Sequence, residues 1–439
     1  MNTPAMAVFG DPYAPMSGNT GYLVDHYALN LNYKVRTNRL DASAEIHLTT
    51  TDTIQSLSLD LVGLRAEKVA IDGKRLKNFA QSANKLTIKL PGVVASGTEL
   101  TLTVHYAGAP SSRRSHWGLV GWEHLTDGVM VAAQPTGAPT WFPCNDHPSN
   151  KATFDIRVTT ERQYTVLCNG FLEEMYPAGQ LQTWHYVQDE PTATYLATVA
   201  IGQLELKQAE FHGVQVTYAY PRPIERRVLS DLLDTSDMLG FFSEVFGPYP
   251  FRNYTVVVTE DDLEIPLESQ NLAIFGANHM DGERGSERLV AHELAHQWFG
   301  NSVGLARWQD IWLNEGFGCY AEWLWSEASG GPTTDDLAAK YHAILMELPQ
   351  DLILGDPGHD LMFDDRLYKR GALTLHALHL RLGSDAFFEL VREWTRSYAH
   401  STAGTAEFRR VAAAHSPTNL DRFFSSWLDQ GPLPQLPRT

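Results

Sequence analysis

The 439-residue sequence predicts two domains of different class: a β-sandwich or saddle-shaped sheet over residues 1–205, then a helix-rich α+β domain over 206–439. Apolar residues alternate with period two through the first 200 positions. They recur at helical spacing through most of the remaining chain. The change falls at one place, near residue 205, with no internal repeat and no low-complexity linker.

The strands come first. Tyr27, Leu29, Leu31, Tyr33 and Val35 alternate with partly polar neighbours, as do Leu86, Ile88 and Leu90, then Leu100, Leu102, Val104 and Tyr106. Each run is short and bounded by Gly, Asn, Asp or Pro, which suits strands joined by turns. Beyond residue 205, Val228, Leu232, Leu239, Phe242 and Phe246 predict one helix from Ile224 to Phe246, stopped by Gly247-Pro248. A strand is expected over 254–259. Helices are expected over 286–299, 315–329, 334–347, 366–382, 385–398, 404–414 and 419–429.

Composition narrows the function. The net charge of −18 argues against nucleic acid, which needs a basic face, and suits a substrate carrying positive charge. No apolar stretch is long enough to span a membrane, and the start MNTPAMAVFGDPYAP lacks the pattern of a secretory signal. Cys144, Cys168 and Cys319 are too few and too scattered for a disulfide framework or a Cys-x-x-Cys metal site, so a reducing cytoplasm is expected.

The chemistry concentrates in RLVAHELAHQWFGN, residues 288–301. Residues four apart share a helix face, so His292 and His296 can offer imidazole nitrogens to one ion. Glu293, turned by about 100°, can flank that ion without ligating it. This is a zinc arrangement with two of its usual three protein ligands. The third is expected from another element, and Glu315 in WLNEGFGCYAEWLW stands out among the acidic residues. Two histidines and a glutamate leave a coordination position for water, as catalytic zinc requires. Glu322 and Asp310 are both candidates to accept a ligand histidine's second N–H. His376 and His379, three apart, are read as partly exposed helix residues rather than a second metal site.

HELAHQWFGN followed by WLNEGF resembles the aminopeptidase N family of zinc peptidases, in the gluzincin group. WFPCNDHPSNKATF at 141–154 resembles that family's Phe-Pro-Cys-x-Asp-x-Pro-x-x-Lys-Ala signature. LYKRGALTLHALHLRLG at 367–383 resembles its Tyr-x-Lys-Gly helix, with Arg370 in place of lysine. The resemblance implies a β-saddle domain followed by a thermolysin-like catalytic domain. It implies one zinc ion per chain on His292, His296 and Glu315, with Glu293 as general base and Tyr368 stabilising the oxyanion.

It also implies that Glu268 holds the substrate's free α-amine, although Ile265-Pro266-Leu267-Glu268-Ser269 replaces the family's Gly-Ala-Met-Glu-Asn and Pro266 removes a backbone donor. Gln134, ahead of Cys144, stands where relatives place a second amine-binding residue. Glu264 is a candidate for the pocket of the substrate's first side chain. Many relatives continue into a long helical domain that walls off the site. Here a less enclosed site, or a homo-oligomer in which a second copy covers it, is expected.

The activity implied is release of the first residue from peptides with a free amino terminus. Two other enzyme readings share the scaffold: a zinc endopeptidase, and a bifunctional epoxide hydrolase and aminopeptidase. Glu268 and Gln134 speak against the first. A binding protein with a structural zinc is the non-enzyme reading, and no fourth protein ligand is evident for it.

Overall fold

A computed structural model describes residues 10–437. An eight-stranded sheet dominates the first half. Its order is Phe171–Ala178, Leu181–Ala193, Lys151–Glu161, Tyr22–Lys34, Arg39–Thr50, Glu99–Gly108, Arg65–Ile71 and Lys74–Leu76. Only Tyr22–Lys34 and Lys151–Glu161 pair parallel within it, among the described residues. A five-stranded sheet, in the order Thr165–Cys168, Val199–Gly202, Gly128–Ala132, Gly118–Leu125 and Arg113–Ser115, and a three-stranded sheet complete the β-rich half.

The period-two residues explain this packing. Tyr27, Leu29, Leu31 and Tyr33 point into one core with Leu86, Ile88, Leu102, Val104 and Tyr106. Each fully buried side chain of this kind contributes about 1.5–3 kcal/mol relative to exposure. Val35 departs from the expected alternation. The strand ends at Lys34, and Val35 opens a 3-10 turn closed by Asn38 in the left-handed region.

A further, mixed sheet begins at Glu205–Phe211 and continues through Val214–Tyr220, Asn253–Val258, Leu272–Phe275 and Leu267–Ser269. Helices then dominate: α1 (Glu225–Asp231), α2 (Thr235–Phe246), α3 (Glu287–Ala295), α4 (Trp312–Ala328), α5 (Thr334–Met346), α6 (Asp365–Leu382), α7 (Ser384–Ser397), α8 (Thr405–Ala414) and α9 (Asp421–Leu428). The single helix expected over 224–246 is two. Its apolar spacing runs on, but Leu232 ends α1 and the Thr235 hydroxyl donates to the Leu232 carbonyl at 2.8 Å, fixing a turn between them. No helix among the described residues is long and apolar enough to cross a membrane.

The two halves are joined by polar contacts close to the HELAH helix. Lys151 Nζ donates to the carbonyls of Asn301 and Ser302 at 2.7 and 2.9 Å. Asn169 Nδ2 donates to the carbonyls of Leu196 and Gln270, both at 2.8 Å. These bonds anchor the chain just after the Glu268 strand and beyond the end of α3. Arg370 fixes the other end. Its buried guanidinium donates to the carbonyls of Leu352 and Trp427, and so ties α6 to the segments around α9.

Candidate metal centre

α3 carries His292 and Glu293 with its whole last turn buried. His296 caps it, its N–H bonded to the His292 carbonyl at 3.1 Å. Gly300 then turns the chain back with φ +113°, a conformation that side chains disfavour, and a Cβ there would meet Asn314 at 2.9 Å. The chain returns through Val303–Leu305 to α4, which brings Glu315 against the two histidines. Gly318 permits that close approach, because a Cβ at that position would lie 2.8 Å from the His292 ring.

His292 Nε2 and His296 Nε2 lie 3.5 and 3.6 Å from the same Glu315 oxygen. The rings are 4.6 Å apart at 79°. Both outer nitrogens are engaged: His292 Nδ1 with Glu322 Oε1 at 2.8 Å, His296 Nδ1 with the Phe299 carbonyl at 3.0 Å. With Nδ1 donating, each ring directs its Nε2 lone pair inward. The three inward atoms fit a cation. Tetrahedral ligands held at about 2.1 Å from zinc are themselves about 3.4 Å apart, close to both observed separations. Among the described residues no fourth protein group joins this trio.

The electrostatics agree. Burial opposes charge on both imidazoles, yet Glu315 beside them, with Glu322 for His292 and Glu268 for His296, raises both above the usual histidine range. Burial likewise opposes the Glu315 carboxylate, but His296 and His292 more than offset it and hold its pKa low. The trio therefore demands positive charge, from protons or from a metal ion. Glu322 is the expected outer partner. Asp310 is not: it accepts from the Thr405 N–H and hydroxyl at 2.9 and 2.7 Å, far along the chain.

Around this trio, Glu268, Glu293 and His296 bring side-chain ligand atoms within 4.8 Å of one another. Glu293 Oε2 is buried without a partner among the described residues. Burial raises both carboxyls, Glu293 well above the ordinary range. Tyr368 stacks beside His292, centroids 6.2 Å apart at 21°. Burial, then Glu315, Glu268 and Glu293, push its hydroxyl well above the usual tyrosine value, so it stays protonated and can donate. A glycine pair places it: Gly316 of α4 and Gly371 of α6 meet so closely that a Cβ on either would come within 2.9 Å of the other's Cα.

Gln134 follows the strand Gly128–Ala132, its amide nitrogen buried and unpartnered among the described residues. Glu264 is not drawn into the cluster. It is exposed, with no ion pair or hydrogen bond among the described residues. His376 is a correction: it is buried, not partly exposed, and pairs with Asp335 at 3.2 Å while His379 pairs with the Tyr320 hydroxyl at 2.7 Å.

Three supporting residues escape a motif reading. Gln297 accepts from the Asn271 N–H at 2.7 Å and donates to the Ser269 carbonyl at 3.2 Å, and Asn301 donates to the same carbonyl at 2.9 Å. They lash the Glu268 strand to the end of α3. The third is Tyr195, whose buried hydroxyl is raised above the usual tyrosine value by burial, then by the nearby Glu268 and Glu315 charges. Only the Gln and Asn of HQWFGN hinted at any of this, because the partners lie outside the motif.

Comparison with known proteins agrees in both halves. Residues 231–427 match the Peptidase family M1 domain, and residues 24–196 match the Peptidase M1 N-terminal domain. An M1 zinc metallopeptidase from Deinococcus radiodurans, solved as a mutant bound to a Tyr-Ser-Ala substrate, superimposes with TM-score 0.88 at 30% identity, covering 98% of this chain and 99% of that one. Human endoplasmic reticulum aminopeptidase 1 is 25% identical over 90% of this chain and 46% of its own length. Leucyl aminopeptidase of Saccharolobus solfataricus is 23% identical over 94% of this chain and 54% of its own length. The chain thus spans about half the length of these two relatives.

Proposed function

Because this chain belongs to peptidase family M1, we propose that its buried centre is that of a zinc-dependent aminopeptidase, releasing the first residue of peptides with a free amino terminus. The observation that carries the proposal is the convergence of His292, His296 and Glu315 on one buried point, with Glu293 and Glu268 beside it. We place the domain boundary near residue 205, between the strands Val199–Gly202 and Glu205–Phe211. Three free, buried cysteines support a reducing, cytoplasmic setting.

His292, His296 and Glu315 hold the zinc, and Glu322 orients His292 from behind. When bound, zinc supplies a Lewis acid that makes water acidic at neutral pH and polarises a carbonyl. Glu293 takes a proton from the water that adds to the first peptide carbonyl, then returns it to the leaving amide nitrogen. Tyr368 donates a hydrogen bond to the oxygen as negative charge develops there. Glu268 and Gln134 grip the substrate's ammonium, whereas Glu264, exposed and outside this cluster, is given no role. The ammonium grip sets where cleavage occurs, since an internal peptide bond has no ammonium to offer and is not positioned for attack.

A matched peptide pair tests this. The peptide with a free amino terminus should lose its first residue; its N-acetylated twin should remain intact by mass spectrometry. Internal cleavage of the acetylated peptide would replace the reading with an endopeptidase. Tyr368→Phe should lower kcat about 10²–10³-fold with KM little moved. A raised KM with intact kcat in steady-state kinetics would take Tyr368 out of the chemistry.

A further inference from the structure

Away from the buried trio, another group of metal-ligating side chains bridges the two halves of the molecule. His116 lies on the turn between strands Arg113–Ser115 and Gly118–Leu125 of the β-rich half. His359 and Asp360 lie on a 3-10 turn ahead of α6. Both histidine Nε2 atoms converge on one oxygen: Asp360 Oδ1 is 2.8 Å from His116 and 3.1 Å from His359. The rings are 4.6 Å apart, and all three ligand atoms fall within 4.8 Å of one another.

The loops that carry them are pinned. Trp117, next to His116, donates its indole N–H to the His359 carbonyl at 2.9 Å and meets the Phe363 ring edge-on at 6.3 Å. From the other side, the Tyr13 hydroxyl bonds Asp356 and accepts from the Gly358 N–H at 2.7 Å. The turn bearing His359 and Asp360 is therefore held between the amino-terminal segment and the β-rich half. The two imidazoles are presented to each other before any ion arrives, so little ordering remains to be done on binding.

We propose that His116, His359 and Asp360 form a second, solvent-accessible site for a divalent transition-metal ion of the zinc, nickel or copper kind, which clips the β-rich half onto the catalytic half. Two imidazoles and one carboxylate suit borderline ions of this series rather than magnesium or calcium, which prefer all-oxygen sites. Three protein ligands leave further positions for water. With each side chain about half exposed or more, the ion exchanges freely with solvent. The site is separate in sequence and in ligands from the buried centre and takes no part in the peptidase reaction.

The test uses tag-free, zinc-loaded enzyme titrated with nickel by calorimetry, with elemental analysis before and after. About one nickel per chain should bind saturably with the zinc content unchanged, and the melting temperature should rise. His116→Ala and His359→Ala should each weaken that binding about tenfold or more and abolish the rise in melting temperature. Asp360→Asn should weaken it less. His47→Ala, which alters the other surface pair formed with His26 near Glu45, should change nothing. The proposal is overturned if wild-type enzyme binds no saturable nickel, if the nickel displaces the zinc, if the His116 and His359 variants bind as wild type does, or if His47→Ala is the variant that loses the ion.

Discussion

Glu293→Gln should retain a full complement of zinc and lose roughly 10²–10⁴-fold in kcat. The substitution keeps the size of the side chain and removes its ability to accept a proton. Glu293 stands outside the trio His292, His296 and Glu315 and carries a buried oxygen with no partner among the described residues, so the substitution leaves all three proposed ligands in place. Burial raises its affinity for a proton, as suits a group that must take one from water and return it within a turnover. Zinc content by elemental analysis, measured on the same preparation as the kinetics, checks both halves of the prediction. An emptied site would make Glu293 a ligand instead of a base.

Glu315→Ala should remove the metal itself. His292 and His296 alone come from adjacent turns and offer two of three ligands, and Glu315 is the acidic group both Nε2 atoms face. Turnover should fall to background. Stability should fall as well, because an ion that binds only the folded chain stabilises it in proportion to its saturation. At about 1,000 times the dissociation constant this amounts to about 4.1 kcal/mol. Wild-type enzyme should therefore melt at a lower temperature once a chelator is added, while Glu315→Ala should melt at the same temperature with and without it. Retention of stoichiometric zinc by the variant would remove Glu315 from the coordination sphere.

How far the sequence could carry the site depended on how local each contact is. His292 and His296 are legible because a helix alone sets their geometry. Glu315 is nearly so, because the chain reverses at Gly300 and returns through the short segment between α3 and α4. The choice between Glu322 and Asp310 was not legible. Each lies one or two turns from Glu315, and which of them meets His292 depends on how α4 rotates against α3. That rotation is set in part by the close passage of Gly318 over the His292 ring. Asp310 is meanwhile claimed by Thr405, which no local pattern links to it.

The fold divides in the same way. Strands whose alternate residues enter one core are visible as period two, and Tyr27 to Tyr33 is the clearest case. The break between α1 and α2 was invisible, since the apolar spacing passes straight through it and the turn is set by backbone bonds from Leu233 and Thr235 together with the Thr235 hydroxyl. His376 looked half exposed because α6 carries polar residues at intervals along its length. In the fold α6 packs against α4, α5 and α7, and that burial from several sides is a tertiary fact.

One zinc ion per chain, held by His292, His296 and Glu315, is proposed to carry the peptidase activity. The most direct test is to strip the metal with a chelator, remove the chelator, and add zinc back stepwise while assaying hydrolysis of a free amino-terminal peptide. Activity should start at background, rise in proportion to zinc, and level off at one equivalent. Full activity in metal-free protein, or none after zinc is restored to the folded chain, would contradict the account.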